Sequence, residues 1–288
     1  MKKVAIITDS NSGIHLADGI KNLFIVPMPF TIEDSEYFED VNLSVEEFYK
    51  FQEEDKKIFT SQPSPGDLTN LWENVLKVYD EIVYFPMSSA LSSSYQTAVM
   101  LAKEFKGRVH VVDAKKISVT LKLACYEALK MVQNGKTAKE IKQYFEKEAL
   151  NASIYLMVNT LKYLKRGGRI TPVVAALGTL LHIKPILQIQ GGKLDQFAKV
   201  LNINQAKQKL INAIRKDIET RFLHDYKEGN LQISVAHSNN REKAEEFAEE
   251  VKKLFPDIEF GYIDELSLSI ACHTGPGVLA LTVCKKLA

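Results

Sequence analysis

Five serines fall within seven positions at residues 88–94, after a β-rich run at 81–85 and before a helix-forming segment at 95–105. These serines are predicted to lie at the carboxyl end of a strand and the amino end of a helix. Unpaired backbone N–H groups at such a helix end favour an anion. The stretch therefore predicts a carboxylate or phosphate site, and the alternative is a polar turn that only caps the helix.

A second loop with hydroxyl side chains carries Thr60 and Ser61 one β/α unit earlier. Ser64 and Pro65 are typical of a helix start, so this loop also leads into a helix. Because the two loops occupy the same topological position, their hydroxyls are expected to converge on one anion. No glycine flanks the serines of 88–94 as a Gly-x-Ser-x-Gly nucleophile requires, and no general base is nearby. Hydroxyls that bind are favoured over hydroxyls that attack.

Two further candidates are basic. His273 lies in residues 271–277, where two glycines and a proline constrain the backbone; it is either a ligand-binding or a structural histidine. The adjacent Cys272 is interpreted as packing, because catalytic pairs usually meet across the fold. Arg169 closes the basic glycine turn at 165–169, which either clamps an anion or is a solvated surface turn.

Several classes of function have no support. Asp9 and Asp113 each end a predicted strand and are interpreted as turn residues, and no acidic or histidine spacing predicts a metal site. Walker and Gly-x-Gly-x-x-Gly patterns are absent. With 37 basic and 36 acidic side chains, no overall charge attracts nucleic acid. No apolar run approaches the about 20 residues that cross a bilayer. Three cysteines without metal spacing predict a reduced, cytoplasmic protein.

The elements that must position the loops alternate between strand and helix in the first half, which predicts a parallel sheet with right-handed crossovers. At 288 residues, two domains are expected, at 1–150 and 151–288. In the second half, strands at 183–190 and 193–201 joined by Gly191 and Gly192 predict a hairpin with a two-residue turn, hence a mixed sheet. The predicted strands of the first half are 4–8, 24–30, 81–85 and 108–112.

The apolar stretch 173–187 has small side chains between branched ones, and it includes a short alanine-rich helix predicted at 172–180. One interpretation is core. The other is the wall of a narrow tunnel for an alkyl chain, whose burial contributes about 0.8 kcal/mol per methylene. A hydroxyl-lined head site beside such a slot suits an amphiphile with a carboxylate.

Taken together, these motifs resemble the DegV family, bacterial fatty-acid-binding proteins that present acyl chains to a fatty acid kinase. The resemblance covers the whole chain, and it implies a fold of two α/β domains with the lipid between them, the second domain closing the lipid slot. It is carried by these motifs in this order: Thr8-Asp9-Ser10, Thr60-Ser61-Gln62-Pro63-Ser64, Ser88-Ser89-Ala90-Leu91-Ser92, Leu164-Lys165-Arg166-Gly167-Gly168-Arg169-Ile170, Lys184-Pro185-Ile186-Leu187 and His273-Thr274-Gly275-Pro276-Gly277.

The resemblance implies that Thr60 and Ser92 hydrogen-bond the fatty acid carboxylate, helped by backbone N–H groups after Leu91. It implies a carrier without catalysis, with a long-chain fatty acid as ligand and no cofactor. The expected partners are a fatty acid kinase and, transiently, a membrane surface, but no nucleic acid. The wider ligand-binding site would include Ser61, Ser93, Arg169 and His273.

Three departures from the family pattern stand out. Ser93 replaces a glycine, which affects how closely the backbone approaches a ligand. Ala114 replaces a common serine, and residues 200–206 lack the basic side chains that relatives often carry at the kinase-docking surface. Two alternative functions stay open: an acyl- or phosphoryl-transfer enzyme using Ser92 or Ser93 with His273, and a carrier of another small carboxylate.

Overall fold

The computed structural model describes residues 2–170 and 183–287. The alanine-rich helix predicted at 172–180, and most of the apolar stretch 173–187, lie outside the described residues. The chain divides into two compact units, the first formed by Met1–Leu150 with Ser267–Ser269 and the second by Asn151–Leu266 with Ile270–Ala288.

The first unit alternates strands and helices along most of its length. Its elements in chain order are β1 (Val4–Asp9), β2 (Leu23–Val26), β3 (Pro29–Ile32), β4 (Ser35–Phe38), α1 (Val45–Glu53), β5 (Ile58–Thr60), α2 (Pro65–Val75), β6 (Glu81–Phe85), α3 (Ser94–Ala102), β7 (Val109–Val111), α4 (Val119–Gln133) and α5 (Ala138–Lys147).

The main sheet of this unit has the strand order β2-β1-β6-β7, and every pairing in it is parallel. The predicted parallel sheet is therefore confirmed. One face packs against α2 and α3, where Trp72 and Tyr84 meet edge to face at 5.7 Å between ring centroids. Because the strands run the same way, the turns after β1, β6 and β7 share one edge of the sheet.

The single strand predicted at 24–30 is wrong, since the structure has β2 and β3 there, in different sheets. Pro27 lies between them and has no backbone N–H, so it cannot continue a ladder. β3 pairs antiparallel with β4 and β5 in a separate three-stranded sheet. Thr60, predicted to lie in a loop with Ser61, is instead the last residue of strand β5, and the loop follows it.

The second unit is built on a mixed six-stranded sheet with the order β10-β9-β8-β13-β11-β12, in which only β11 and β12 pair in parallel. This confirms the mixed sheet. Its described elements in chain order are β8 (Ala152–Met157), α6 (Lys162–Gly167), β9 (Lys184–Ile189), β10 (Asp195–Val200), α7 (Ile203–Thr220), α8 (Leu223–Lys227), β11 (Leu231–Ser238), α9 (Arg241–Leu254), β12 (Glu259–Glu265), α10 (Leu268–Thr274) and β13 (Val278–Lys285).

Two predictions in this half need correction. The β9–β10 hairpin exists, but residues 190–194 connect its strands. Strand β9 ends at Ile189 and β10 begins at Asp195, so the connection is longer than the predicted two residues, and within it Gly191 has a positive φ of 78°. The segment 271–277, whose glycines and proline were expected to constrain the backbone, begins inside helix α10, which ends at Thr274. The core of the unit lies between the sheet and helices α7 and α9, and includes Leu210, Ile214, Phe247 and Leu281.

Candidate ligand-binding site

The serine turn that follows β6 is held by a carboxylate from each neighbouring strand. Asp9, at the end of β1, accepts a hydrogen bond from the Met87 backbone N–H at 2.8 Å. Asp113, just beyond β7, accepts from the Ser89 N–H at 3.2 Å and from the Ser89 hydroxyl at 2.6 Å. Both aspartates therefore fix the position of the turn. These hydrogen bonds agree with their interpretation as turn residues.

The turn is further closed by its own backbone. The carbonyl oxygen of Ser88 accepts hydrogen bonds from the N–H groups of Leu91 at 3.0 Å and Ser92 at 3.2 Å. The Ser88 hydroxyl accepts from the Ala90 N–H at 3.3 Å. The first N–H after Leu91, expected to help bind a carboxylate, is thus used inside the turn in this structure.

Ser92 lies half-buried at the amino end of α3. Its Oγ accepts a hydrogen bond from the Ser94 N–H at 3.1 Å and lies 2.8 Å from Ser94 Oγ. When Ser94 is the donor between the two hydroxyls, Ser92 keeps its own O–H for a second acceptor. A hydroxyl held in this way, at the positive end of a nine-residue helix, suits an anionic ligand.

The two loops that carry hydroxyls meet through Gln62. Its side-chain oxygen accepts hydrogen bonds from Thr97 Oγ1 at 3.0 Å and from Ser93 Oγ at 3.3 Å. This joins the loop after β5 to the first turn of α3. Ser93 is exposed, and its side chain contacts Gln62 where relatives commonly have glycine.

Thr60 and Ser61 begin the loop that Gln62 fastens. Thr60 is half-buried, and its backbone pairs with Phe30 at the end of β5. Ser61 is exposed, and its N–H donates to the carbonyl of Pro29 at 3.2 Å. The four predicted residues of the first unit, Thr60, Ser61, Ser92 and Ser93, therefore lie on two connected loops.

Arg169 and His273, the two other predicted residues, are neighbours within the second unit. Helix α6 ends at Gly167, and Gly168 caps it in the left-handed conformation, with φ of 66°. Gly167 packs against the His273 ring, since a Cβ on Gly167 would lie 2.7 Å from His273 Cε1. In the glycine pair, Gly167 allows a close approach and Gly168 ends the helix.

The surroundings of His273 keep its imidazole neutral. Burial, as the larger cause, and the positive charge of Arg169 together lower its pKa from 6.5 to about 4. The Arg169 side chain is exposed and donates a hydrogen bond to the Gly167 carbonyl. Next to His273, burial raises the pKa of the Cys272 thiol to about 12, which makes it a poor nucleophile at neutral pH.

Gln62 is the residue that sequence reasoning missed. Glutamine is common in loops, and nothing in its type marks it as a bridge. The usable signal was its place between two hydroxyl residues and a proline in the loop after β5. Its partners Ser93 and Thr97 lie 31 and 35 positions further along the chain, so only the folded arrangement reveals the contact.

Across residues 2–170 and 183–287, no group of three or more His, Cys, Asp or Glu side chains is arranged to hold a metal ion. Within the same residues, no helix combines the length and the apolar character that crossing a membrane requires.

Comparison with known proteins relates the chain to a protein family. A family model described as "Uncharacterised protein, DegV family" matches residues 3–286. A DegV domain-containing protein of Staphylococcus aureus (strain N315) is 30% identical over 290 residues, covering 99% of this chain and 100% of that protein.

Solved structures agree with this match. A fatty-acid-binding DegV family protein from Thermus thermophilus has a TM-score of 0.88 and 26% identity, covering 98% of this chain and 99% of that one. DegV, a fatty acid binding protein from Bacillus subtilis, has a TM-score of 0.85 and 25% identity, covering 99% and 100%. The family match and the similar solved structures agree, and this chain belongs to the DegV family.

Proposed function

We propose that this protein binds one long-chain fatty acid and presents its carboxylate to a partner fatty acid kinase, as a cytoplasmic carrier without catalysis of its own. The observation that carries the proposal is the Gln62 bridge, which brings the loop of Thr60 to the serine turn at the amino end of α3. Hydroxyl donors and the positive end of a helix favour a carboxylate.

A fatty acid is favoured over other carboxylates by the comparisons. The Thermus thermophilus and Bacillus subtilis proteins, which this chain matches over 98% or more of its length, are fatty-acid-binding proteins. In such a ligand the tail supplies most of the affinity, at about 0.8 kcal/mol per buried methylene. Hydrogen bonds to the charged head contribute about 1.5 to 3 kcal/mol each, and mainly fix its position.

Each site residue is given a proposed role. Thr60 and Ser92 are proposed to donate to the carboxylate. Ser61 and Ser93 belong to the same loops, with Ser93 acting through Gln62. Neutral His273 and the cationic Arg169 are proposed as the head-group environment contributed by the second unit.

A carrier is favoured over a serine-dependent enzyme by the partners of the serines. An activated serine needs a base within hydrogen-bond reach. Within the described part of the chain, the Ser92 hydroxyl lies against the Ser94 hydroxyl, and the Ser93 hydroxyl donates to the Gln62 side chain. A serine-directed fluorophosphonate probe is therefore expected to leave the protein unlabelled.

The direct test is native mass spectrometry of protein purified without added lipid, which should give an added mass equal to one fatty acid. Delipidated protein should rebind oleate or palmitate with one-to-one stoichiometry, and a Thr60→Val/Ser92→Ala double variant should bind both more weakly.

Short-chain acids should compete poorly with a fluorescent fatty acid. Protein that is lipid-free as isolated and that also ignores added oleate and palmitate would contradict the proposal.

The kinase step is tested separately. The host's fatty acid kinase, with ATP, should phosphorylate a fatty acid bound to this protein and should be inactive on the free acid. A kinase that works equally well without this protein would remove the presenting role and leave the binding role standing.

A further inference from the structure

Asn11 is a buried asparagine that connects the serine turn to a distant segment of the chain. It lies directly after β1, in the short 3₁₀ turn Ser10–Ser12, and it is 0% exposed. Its side-chain oxygen, its side-chain nitrogen and both of its backbone polar groups take part in hydrogen bonds. A buried amide that is fully engaged in this way holds its neighbours in one arrangement.

The nitrogen side of Asn11 faces the carboxylate that holds the serine turn. Asp9 Oδ1 accepts hydrogen bonds from the Asn11 backbone N–H at 3.0 Å and from Asn11 Nδ2 at 2.9 Å. Asp9 Oδ2 accepts from the backbone N–H of Met87, the residue before the serines, at 2.8 Å. Burial is the largest influence on the pKa of Asp9, which is raised from 3.8 to about 6, although the hydrogen bonds from Met87 and Asn11 act to lower it. Asp9 is therefore a buried carboxylate at neutral pH, and these donors stabilise its charge.

The oxygen side of Asn11 faces a segment that is more than 250 positions away in the chain. Asn11 Oδ1 accepts hydrogen bonds from the hydroxyl of Ser269 and, at 3.4 Å, from that of Ser267, and both serines are buried. Segment 267–269 belongs to the first unit, although the residues on either side of it in the chain belong to the second. Asn11 is therefore one of the groups that dock this segment in the first unit.

An amide suits this position because its two ends differ. The donor end satisfies a carboxylate and the acceptor end satisfies two hydroxyls, so neither an aspartate nor an apolar side chain could serve both. The contacts of Asn11 with Asp9 and with Ser269 thus join segment 267–269 to Met87, at the start of the serine turn. Because the contacts are shared, a ligand that fixes the turn also favours the docked segment, and the docked segment favours the ligand.

We propose that Asn11 is a positioning residue of the fatty acid site, through which a carboxylate bound at the serine turn and the docked segment 267–269 stabilise each other. This inference rests on the proposed function and deepens it, because it names a group that acts on the site through Asp9 rather than through the ligand.

The experiment measures oleate affinity, by displacement of a fluorescent fatty acid, in Asn11→Ala, Ser269→Ala and the double variant. Each single variant should weaken oleate binding about fivefold or more, the lower end of the usual coupling between two sites. The double variant should be at most about twofold weaker than Asn11→Ala alone, because both changes break the same connection. The matched control is Thr282→Val, which removes a buried, hydrogen-bonded hydroxyl from the sheet of the second unit and should leave oleate affinity unchanged.

Hydrogen exchange gives a readout that a loss of stability alone would not produce. In the wild type, added oleate should slow amide exchange in segment 267–269. In Asn11→Ala, oleate should no longer slow it. Ser269→Ala leaves the contacts between Asn11 and Asp9 in place and should lose the same protection, so it carries the test if Asn11→Ala does not fold.

The outcomes separate this inference from the proposed function. Unchanged oleate affinity in the single variants, an equal loss of affinity in Thr282→Val, or protection of the segment by oleate that persists in the variants would overturn the inference and leave the carrier function intact. A wild-type protein that does not bind oleate would instead overturn the proposed function, and this inference with it.

Discussion

The carboxylate of Glu39 accepts a 2.8 Å hydrogen bond from the backbone N–H of Leu268, although 229 positions separate the two residues. Glu39 is 5% exposed. Burial raises its pKa from 4.5 to about 8 and is the largest cause; the Leu268 hydrogen bond acts in the opposite direction, and the charge of Asp40 again raises the pKa. The contact therefore fastens segment 267–269 to the first unit through a carboxyl group that is protonated at neutral pH.

This raised pKa predicts that Glu39 makes the protein less stable as pH rises. The unfolded chain loses the Glu39 proton near its usual pKa of 4.5, whereas the folded chain keeps it to about 8. The folded state therefore binds more protons in this window, and the free energy of unfolding falls by up to about 1.4 kcal/mol per pH unit. Glu39→Gln removes the effect, so its stability relative to wild type should increase from pH 5 to pH 8.

Urea unfolding at pH 5, 6, 7 and 8 measures this difference, and subtracting the two proteins cancels the contributions of all other groups. The matched control is Glu36→Gln, which changes an exposed glutamate on β4. It controls for the loss of a glutamate that is not buried. A Glu39→Gln difference that is flat from pH 5 to pH 8 would contradict the raised pKa.

The Gln62 bridge predicts a coupling between the two hydroxyl-bearing loops. Gln62→Ala removes two acceptor contacts, with Ser93 and Thr97, each worth about 1 kcal/mol net. The loop of Thr60 should lose its fixed position, so fatty acid affinity should fall about tenfold and amide exchange at residues 60–64 should speed up. Fluorescence displacement and hydrogen exchange measure the two effects.

The control is Gln96→Ala, which changes an exposed residue on the same helix and should leave both measurements unchanged. Unaltered exchange in Gln62→Ala would refute the coupling.

Features that are local in sequence could be predicted, and features that depend on folding could not. The capping boxes of Ser44 with Glu47 and of Thr137 with Glu140 are such local features, because each involves residues three positions apart. The contacts of Ser267 and Ser269 with Asn11 span more than 250 positions, and no local pattern encodes them.

The candidate site divides in the same way. The serine turn was predictable because a strand pattern runs directly into a helix pattern, and Ser92 duly lies at the start of α3. The two loops were expected to meet because both were placed at the same position of one parallel sheet, and that reason is wrong, since β5 lies in the separate three-stranded sheet. The contact is made by Gln62, which the sequence pattern did not single out.

The packing of Gly167 on His273 predicts a measurable titration. In the wild type, NMR of labelled histidine should give His273 a pKa of about 4. Arg169→Gln should raise that pKa, because the Arg169 charge lowers it. Gly167→Ala should shift it towards the ordinary 6.5, because the added methyl overlaps the ring and displaces it from its buried position. Gly192→Ala adds a methyl in open space in the same unit and is the control. An unmoved His273 pKa in Gly167→Ala would contradict the close packing.

The cysteines should be unreactive in the folded protein. Burial raises the pKa of Cys125 and of Cys272 to about 12, and Cys284 is 3% exposed. At pH 8 the first two thiols are thiolate in only about one molecule in ten thousand, so DTNB should label none of the three within minutes. In urea all three should react. A Met100→Cys variant, at a position 63% exposed on α3, should gain one rapidly reacting thiol without urea. Rapid reaction of a wild-type cysteine in the absence of urea would contradict this prediction, because it would show that the thiol becomes accessible to solvent in the folded protein.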